Sequence, residues 1–286
     1  MQANKERLYK DVEFLTSLTP ARNHYNLGSL EKCCAYIETE LKRAGANPIR
    51  QTWTAGGEAY SNILAAYNSD KTKRLVVGAH YDVDGDQPGA DDNASAVAGL
   101  LETVRLVFEA KPELDYRIDF VFYCLEEAPY FRTEYMGSFI HARSLHEAQA
   151  DVLGMICYEM LGFFSDEPES QPFPSPELAA LYPHTANFII VVGIAPYAAF
   201  AQKVHRLMAK DSGIDVQVIV FPEGEGLASL SDQRNYWKFG WDAVMINDTA
   251  FIRNPNYHQE TDTIDTLDFD KMTEVVTSAY KAVTGM

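Results

Sequence analysis

The sequence predicts an α/β fold, with a single domain built as a three-layer α/β/α sandwich around a mixed, mostly parallel central sheet. Short apolar, β-branched runs alternate along the chain with longer segments whose apolar residues recur at helical spacing. Such alternation is typical of a sheet that is covered by helices on both faces. The chain has 286 residues and 47% hydrophobic content, so one domain, residues 1–286, can bury a large core.

Each element follows from its own pattern. Apolar residues at helical spacing predict helices around residues 8–18, 30–41, 94–110, 136–149, 198–211 and 269–283. In the last of these, Met272, Val276, Ala279 and Val283 share one face. Short apolar runs predict strands at residues 62–67, 74–79, 118–125, 152–158, 187–192, 216–221 and 243–247.

Charge and composition limit the partners and the compartment. The chain has 24 basic and 41 acidic residues, and its net charge of −17 repels nucleic acids and anionic membrane surfaces. It shows neither a membrane-spanning stretch nor a signal-peptide pattern. Its four cysteines lie in apolar patterns, which favours buried thiols and weakly favours the cytoplasm. An exported form stays open if a signal peptide has been removed, and the oligomeric state is not predicted.

Five potential metal ligands stand at or beyond the ends of predicted elements. His80, Glu127 and Glu159 come at strand ends, His258 lies in a long loop after a strand, and Asp92 precedes a helix. Singly, such residues are more often hydrogen bonded or solvated than metal bound. Because the carboxyl ends of parallel strands meet at one edge of a sheet, however, we expect them to lie together. Histidine nitrogen and carboxylate oxygen are zinc ligands, and five such residues suit a pair of metals that share one carboxylate.

Four segments resemble the M28 family of zinc-dependent peptidases, whose aminopeptidases use two co-catalytic zinc ions. The segments are GAHYDVDGDQPGADDNASAVAGLLE, FYCLEEAPYFRTEYMGS, CYEMLGFF and SDQRNYWKFGWDAVMINDTAFIRNPNYHQETDTIDTLD. The order His-x-Asp, Gly-Ala-Asp-Asp-Asn and Glu-Glu makes this similarity specific. It implies the phosphorylase/hydrolase-like fold of zinc exopeptidases and the removal of N-terminal residues from a peptide or small amide substrate.

The resemblance also implies the arrangement of two zinc ions. One would be held by His80, Glu159 and Asp92. The other would be held by Glu127, His258 and the same Asp92, which would bridge the two ions.

Further roles are implied around these ligands. Glu126 matches the family's general base, which takes a proton from the attacking water and returns it to the departing amine. Asp82, two residues after His80, is expected to accept the other N–H of that imidazole and so fix its orientation. The family also suggests a cis peptide bond between Asp91 and Asp92.

Two positions depart from the family pattern. Glu159 stands where the family most often has aspartate, and its longer side chain would change the reach of this ligand. The common Ser-Asp-His sequence appears here as Ser231, Asp232 and Gln233, so any role of the missing imidazole is in doubt.

Specificity is poorly encoded in the sequence. The stretch 163–183 contains five prolines and follows Glu159, so it forms either a wall of the pocket or an inert surface loop. Phe251, Ile252 and Tyr257 could bind an apolar side chain, although core packing is their default interpretation.

The sequence also leaves open which charged residues bind the ends of a peptide substrate. Arg253 is expected to bind a structural acid rather than a substrate carboxylate. Glu223, Glu225 and Asp232 are candidates to hold the free ammonium group of a peptide.

Two other functions stay open beside the aminopeptidase. Glutaminyl cyclases resemble the same fold but use one zinc ion and cyclise an N-terminal glutamine. The GADDNAS segment is closer to the peptidase form, and Tyr257 precedes His258 where a cyclase would have Trp. The remaining alternative is a non-enzymatic binding protein. Five ligands together with Glu126 argue against it, because a binding module needs no base beside a metal.

Overall fold

Eight strands form one sheet in the computed structural model, which describes residues 1–222 and 226–286. The strands are β1 (Ile49–Ala55), β2 (Glu58–Tyr67), β3 (Arg74–His80), β4 (Arg117–Tyr123), β5 (Val152–Glu159), β6 (Phe188–Ile194), β7 (Asp215–Phe221) and β8 (Ala243–Asn247). They are ordered β1-β2-β4-β3-β5-β8-β6-β7 across the sheet. The central β4, β3, β5 and β8 are parallel to one another, whereas β2 and β6 make antiparallel pairs. The predicted mixed sheet is therefore confirmed.

Helices cover both faces of this sheet. They are α1 (Lys5–Thr16), α2 (Leu27–Arg43), α3 (Ala96–Ala110), α4 (Gly137–Glu147), the single turn α5 (Pro176–Ala179), α6 (Ala198–Ala209), the single turn α7 (Arg234–Trp237) and α8 (Phe269–Thr284). Side chains of β3 alternate between two cores, since Leu75 and Val77 face α1, α2, α3, α6 and α8 while Val76 faces the smaller core with α4. The three-layer sandwich is the result.

The sequence patterns do not predict β1, which lies at the edge of the sheet. Most of its residues are exposed or half-buried, so the apolar alternation that identifies a strand is weak. A turn at Gly56 and Gly57, with φ of +59° and +90°, joins it to β2 and extends β2 back to Glu58. The predicted helix at 94–110 also begins later, because residues 90–95 form a π-helical turn before α3.

The expectation of buried thiols agrees with the structure. The four cysteines are buried and unpaired. Within the described ranges, no helix combines the length and the apolar character needed to cross a membrane.

Candidate metal centre

The site lies where four neighbouring parallel strands end. His80 is the last residue of β3, Glu159 is the last residue of β5, and Glu126 and Glu127 follow β4. The loop after β8 contributes His258. Because β4, β3, β5 and β8 are adjacent, their carboxyl ends bring all these side chains to one edge of the sheet, as expected.

Asp92 reaches the same edge from the π-helical turn before α3. The backbone N–H groups of Asp91 and Asp92 both donate to the carboxylate of Asp262, at 2.9 and 3.0 Å. The cis peptide bond joins Asp92 to Asn93, so the expected position between Asp91 and Asp92 is wrong. The carboxylate of Asp262 thus holds the backbone before this bond, and after it the side-chain oxygen of Asn93 accepts from the N–H of Met160.

Two imidazoles face different oxygens of Asp92. Nε2 of His80 lies 3.4 Å from Asp92 Oδ1 and 3.4 Å from Glu159 Oε2. Nε2 of His258 lies 3.1 Å from Asp92 Oδ2 and 3.4 Å from Glu127 Oε2. Ligands about 2.0–2.1 Å from a tetrahedral zinc ion are separated by roughly 3.3–3.4 Å. These separations therefore fit one ion on each side of Asp92, which is the predicted grouping.

The charges of the site and its unsatisfied polar atoms are also consistent with bound cations. Among the described residues, Nε2 of His258 and Oε1 of Glu126 have no hydrogen-bond partner, although both atoms are buried. Burial lowers the pKa of His258, but Asp92 and Glu127 outweigh burial and raise this pKa to about 10. Burial, followed by the charge of Asp92, raises the pKa of Glu127 to about 8. The residues thus attract positive charge, which divalent ions would supply.

The contacts of the Asp82 carboxylate differ from those expected. Its carboxylate accepts the N–H groups of Glu126 and Glu127, at 3.2 and 3.1 Å. Nδ1 of His80 lies 3.2 Å from the backbone carbonyl of Asp82 and 3.7 Å from its carboxylate. Asp82 lies beyond the end of β3, so strand alternation no longer directs its side chain. It nevertheless connects the loop of the predicted base to a predicted ligand.

Residues distant in sequence hold the ligands, and the sequence analysis did not identify these contacts. Ser231 donates to Glu159 Oε2 at 2.5 Å, and its only signal is its place in the Ser-Asp-Gln segment. Asp262 lies 170 positions from Asp92, and its pattern gives no signal. Gln233, which replaces the family's histidine, donates to the carbonyl of Ala228 at 2.7 Å and so fixes a turn beside the pocket.

Four of the five predicted ligands, His80, Asp92, Glu127 and Glu159, line a pocket of about 900 Å³, open mouth included. Strand residues of the smaller sheet face form one wall, and they are Phe188, Ile190, Val192, Ile219, Phe221 and Met245. The proline-rich stretch forms another wall with Gln171, Phe173, Pro174, Leu178 and Tyr182. Of the two interpretations of that stretch, the wall is confirmed. The pocket is also lined by Phe251, Ile252 and Tyr257. The default interpretation that these residues pack in the core is therefore wrong.

Arg253 is structural, and its side-chain hydrogen bonds within the described residues go to uncharged groups, while Asp248 interacts with it through charge. Arg253 donates to Gln171 Oε1 at 2.8 Å and to the carbonyl of Phe188 at 3.0 Å, and it stacks on the Phe188 ring. It thereby ties the proline-rich wall to β6. Asp232 is buried and does not line the pocket, while Glu223 and Glu225 lie outside the described residues. No lysine or arginine within residues 1–222 and 226–286 lines the pocket.

Comparisons with known proteins agree with this geometry. The uncharacterized protein YfbL of Escherichia coli strain K12 is 37% identical over 282 residues, which cover 96% of this chain and 86% of that protein. A leucine aminopeptidase precursor from Bacteroides thetaiotaomicron has the same fold, with a TM-score of 0.75, 20% identity, and coverage of 100% of this chain and 98% of that one. A glutaminyl cyclase from the same organism also shares it, with a TM-score of 0.72, 20% identity, and coverage of 100% and 99%.

The family model named "Peptidase family M28" matches residues 62–283, a range that contains every ligand at the sheet edge and also Glu126. Together with the arrangement of two imidazoles around Asp92, this match shows that the chain belongs to peptidase family M28 and is a hydrolase of peptides.

Proposed function

We propose that the protein removes N-terminal residues from peptides with the help of two zinc ions, and that the pocket receives the apolar side chain of the residue removed. The observation that carries the proposal is the pair of imidazoles on opposite oxygens of Asp92, at the end of an apolar pocket. His80 and Glu159 would hold one ion, and Glu127 and His258 the other.

The chain's own residues supply base catalysis. Bound zinc would polarise the substrate carbonyl and lower the pKa of water to about 7. Glu126 Oε2 lies 3.9 Å from Nε2 of His80, and Oε1 has no hydrogen-bond partner in the part of the chain that the structure describes. Burial raises the pKa of Glu126, which suits a carboxylate that takes a proton from water and returns it to the departing amine.

The charges around the pocket favour an amino end over a carboxyl end. A carboxypeptidase would need a cation for the substrate carboxylate, whereas Arg253 is committed to other partners and the described pocket residues include no lysine or arginine. These observations support an aminopeptidase.

A glutaminyl cyclase is the second candidate, because a solved cyclase shares the fold over the whole chain. Burying a glutamine amide requires hydrogen-bond partners. The described lining residues include few polar side chains besides the predicted ligands and base. They are Gln171, Asn247, Thr249 and the two tyrosines Tyr182 and Tyr257. The mainly apolar walls favour a Leu-like or Phe-like side chain instead.

Zinc content and substrate preference test these alternatives together. The purified protein is analysed for bound metal and then assayed with aminoacyl chromogenic amides, with and without chelator, and with a peptide that begins with glutamine. Two zinc ions and chelator-sensitive release of Leu or Phe ahead of Asp or Lys would support the proposal. One zinc ion with cyclisation of glutamine would favour the cyclase, and no metal after zinc is supplied would favour a binding protein.

A further inference from the structure

Asp84 lies beside Nδ1 of His258, the ring nitrogen that is not paired with Asp92. Its Oδ2 lies 3.5 Å from Nδ1 of His258, while Nε2 faces Asp92 and Glu127. One oxygen of Asp84, one oxygen of Glu127 and a ring nitrogen of His258 all lie within 4.8 Å of one another. The two ring nitrogens are therefore divided between the expected zinc ligands and a further carboxylate.

The backbone on both sides of Asp84 is held by two buried side chains. Arg22 is fully buried and donates to the carbonyls of Tyr81, Pro88 and Gly89, at 2.9, 2.5 and 2.7 Å. These carbonyls flank the loop 82–88. Asn23 donates to the carbonyl of Gly85 at 2.5 Å.

The N–H of Val83, on the other side of Asp84, donates to the carbonyl of Arg22 at 3.2 Å. Hydrogen bonds thus hold the residues immediately before and after Asp84. The loop therefore presents the Asp84 side chain at a defined position.

His258 needs such support more than His80 does. His80 ends a buried strand, and its Nδ1 lies 3.2 Å from the carbonyl of Asp82. His258 lies in a loop, its side chain is 28% exposed, and one face of its ring stacks on Tyr257 with centroids 3.8 Å apart. Stacking leaves rotation within the ring plane open. A zinc-bound histidine usually donates its other N–H to a carboxylate or carbonyl, which removes that freedom.

We propose that Asp84 is a positioning residue for the zinc site of His258 and Glu127. Its carboxylate accepts the Nδ1–H of His258 and keeps Nε2 directed at the ion. This inference rests on the zinc sites of the proposed function and adds a residue that the family resemblance did not assign.

Zinc affinity measured without substrate tests the inference. Zinc is titrated against a fluorescent chelator for the wild type, Asp84→Ala and Asp84→Asn. We expect Asp84→Ala to weaken one of two zinc sites about 10- to 100-fold. Asp84→Asn should recover part of the affinity, since an amide oxygen can still accept from Nδ1–H. Asp86→Ala and Asp86→Asn are the matched controls, because Asp86 is an acid of the same loop that contacts Tyr25 and Asn23 rather than His258.

A double-variant cycle decides whether Asp84 acts through His258. Once His258→Ala has removed the imidazole, Asp84→Ala should weaken zinc binding no further. Equal effects of Asp84→Ala and Asp86→Ala, or an equal loss at both zinc sites, would overturn the inference. Melting in chelator checks that each variant is folded. If the variants show these changes in zinc affinity but the wild-type protein hydrolyses no amide, the proposed function is contradicted while the role of Asp84 is still supported.

Discussion

Glu126 and Glu127 are neighbours in sequence but face different partners. Glu127 Oε2 lies 3.4 Å from Nε2 of His258, as a shared zinc ligand would, whereas Glu126 keeps one buried oxygen without a hydrogen bond. We therefore expect Glu126→Gln to retain zinc but to lose roughly 10²–10⁴ in kcat, because the amide cannot accept a proton from water. Steady-state kinetics and metal analysis of the same sample measure both quantities.

Glu134→Gln, at an exposed position of the same connection between β4 and α4, is the control for this substitution. It should change neither rate nor zinc content. A Glu126→Gln protein with wild-type kcat would remove Glu126 from the mechanism.

His141 links pH to stability outside the metal site. It is buried in α4 with its Nδ1 2.7 Å from the Tyr236 hydroxyl, and burial lowers its pKa from 6.5 to about 3. Between these two pH values the unfolded state binds the proton and the folded state does not. The free energy of unfolding should therefore fall as pH drops below 6.5, by up to about 1.4 kcal/mol per pH unit, until about pH 3.

His141→Gln removes this titration, while its amide oxygen can still accept from Tyr236. We expect a shallower loss of stability between pH 6 and pH 4, measured by urea unfolding of both proteins in chelator. Parallel pH profiles for the two proteins would show that His141 does not contribute.

Three helices are joined by a buried ion cluster. Arg105 of α3 contacts Asp11 of α1 at 2.6 and 3.0 Å and Glu40 of α2 at 2.8 Å. Removing Asp11 takes away two charge-assisted hydrogen bonds while Arg105 keeps Glu40, which costs about 1.5–3 kcal/mol. Asp11→Ala should thus lower the free energy of unfolding by about this amount, whereas Glu13→Ala on the exposed face of α1 should change it little. Denaturant titration distinguishes the two, and equal effects would contradict the assignment.

The strand β6 sets the size of the pocket. Val192 belongs to the smaller core and lines the pocket, so Val192→Phe should fill part of it. We expect kcat/KM for a Phe or Leu substrate to fall about 10- to 200-fold relative to Ala. Val218→Phe places the same ring on the opposite face, against the larger core, and should leave this ratio unchanged. An unchanged ratio in Val192→Phe would place the substrate side chain elsewhere.

At the scale of the whole molecule, we expect the buried acids to make stability depend on bound metal. The chain already carries a net charge of −17, and Asp92, Glu126, Glu127 and Glu159 are buried together. Bound zinc would relieve their repulsion, and each ion present at 1,000 times its Kd adds about 4 kcal/mol of stability. Chelator should therefore lower the melting temperature and added zinc should restore it. A variant that lacks both His80 and His258 should not respond to zinc, and the same response in that variant would contradict this link.

Local patterns predicted most of the fold and the ligand set. The periodicity of the strands and helices depends on neighbouring residues, so it could be read from the sequence, except for exposed β1. His80, Glu127 and Glu159 could be proposed because polar residues at the ends of apolar strands are recognisable as they stand. Their roles as zinc ligands and that of Glu126 as the base remain predictions.

The sequence by itself determined the fold class, the family and the edge of the sheet at which the ligands meet, because these follow from short-range periodicity and motif order. The tertiary structure alone decided which partners hold the predicted ligands and which residues line the pocket. Asp262 accepts from Asp92, 170 positions away, and Ser231 donates to Glu159, 72 positions away. The proline-rich stretch forms a wall of the pocket because folding brings it beside lining residues of β6, β7 and β8. Such contacts depend on how distant segments pack, which no local pattern records.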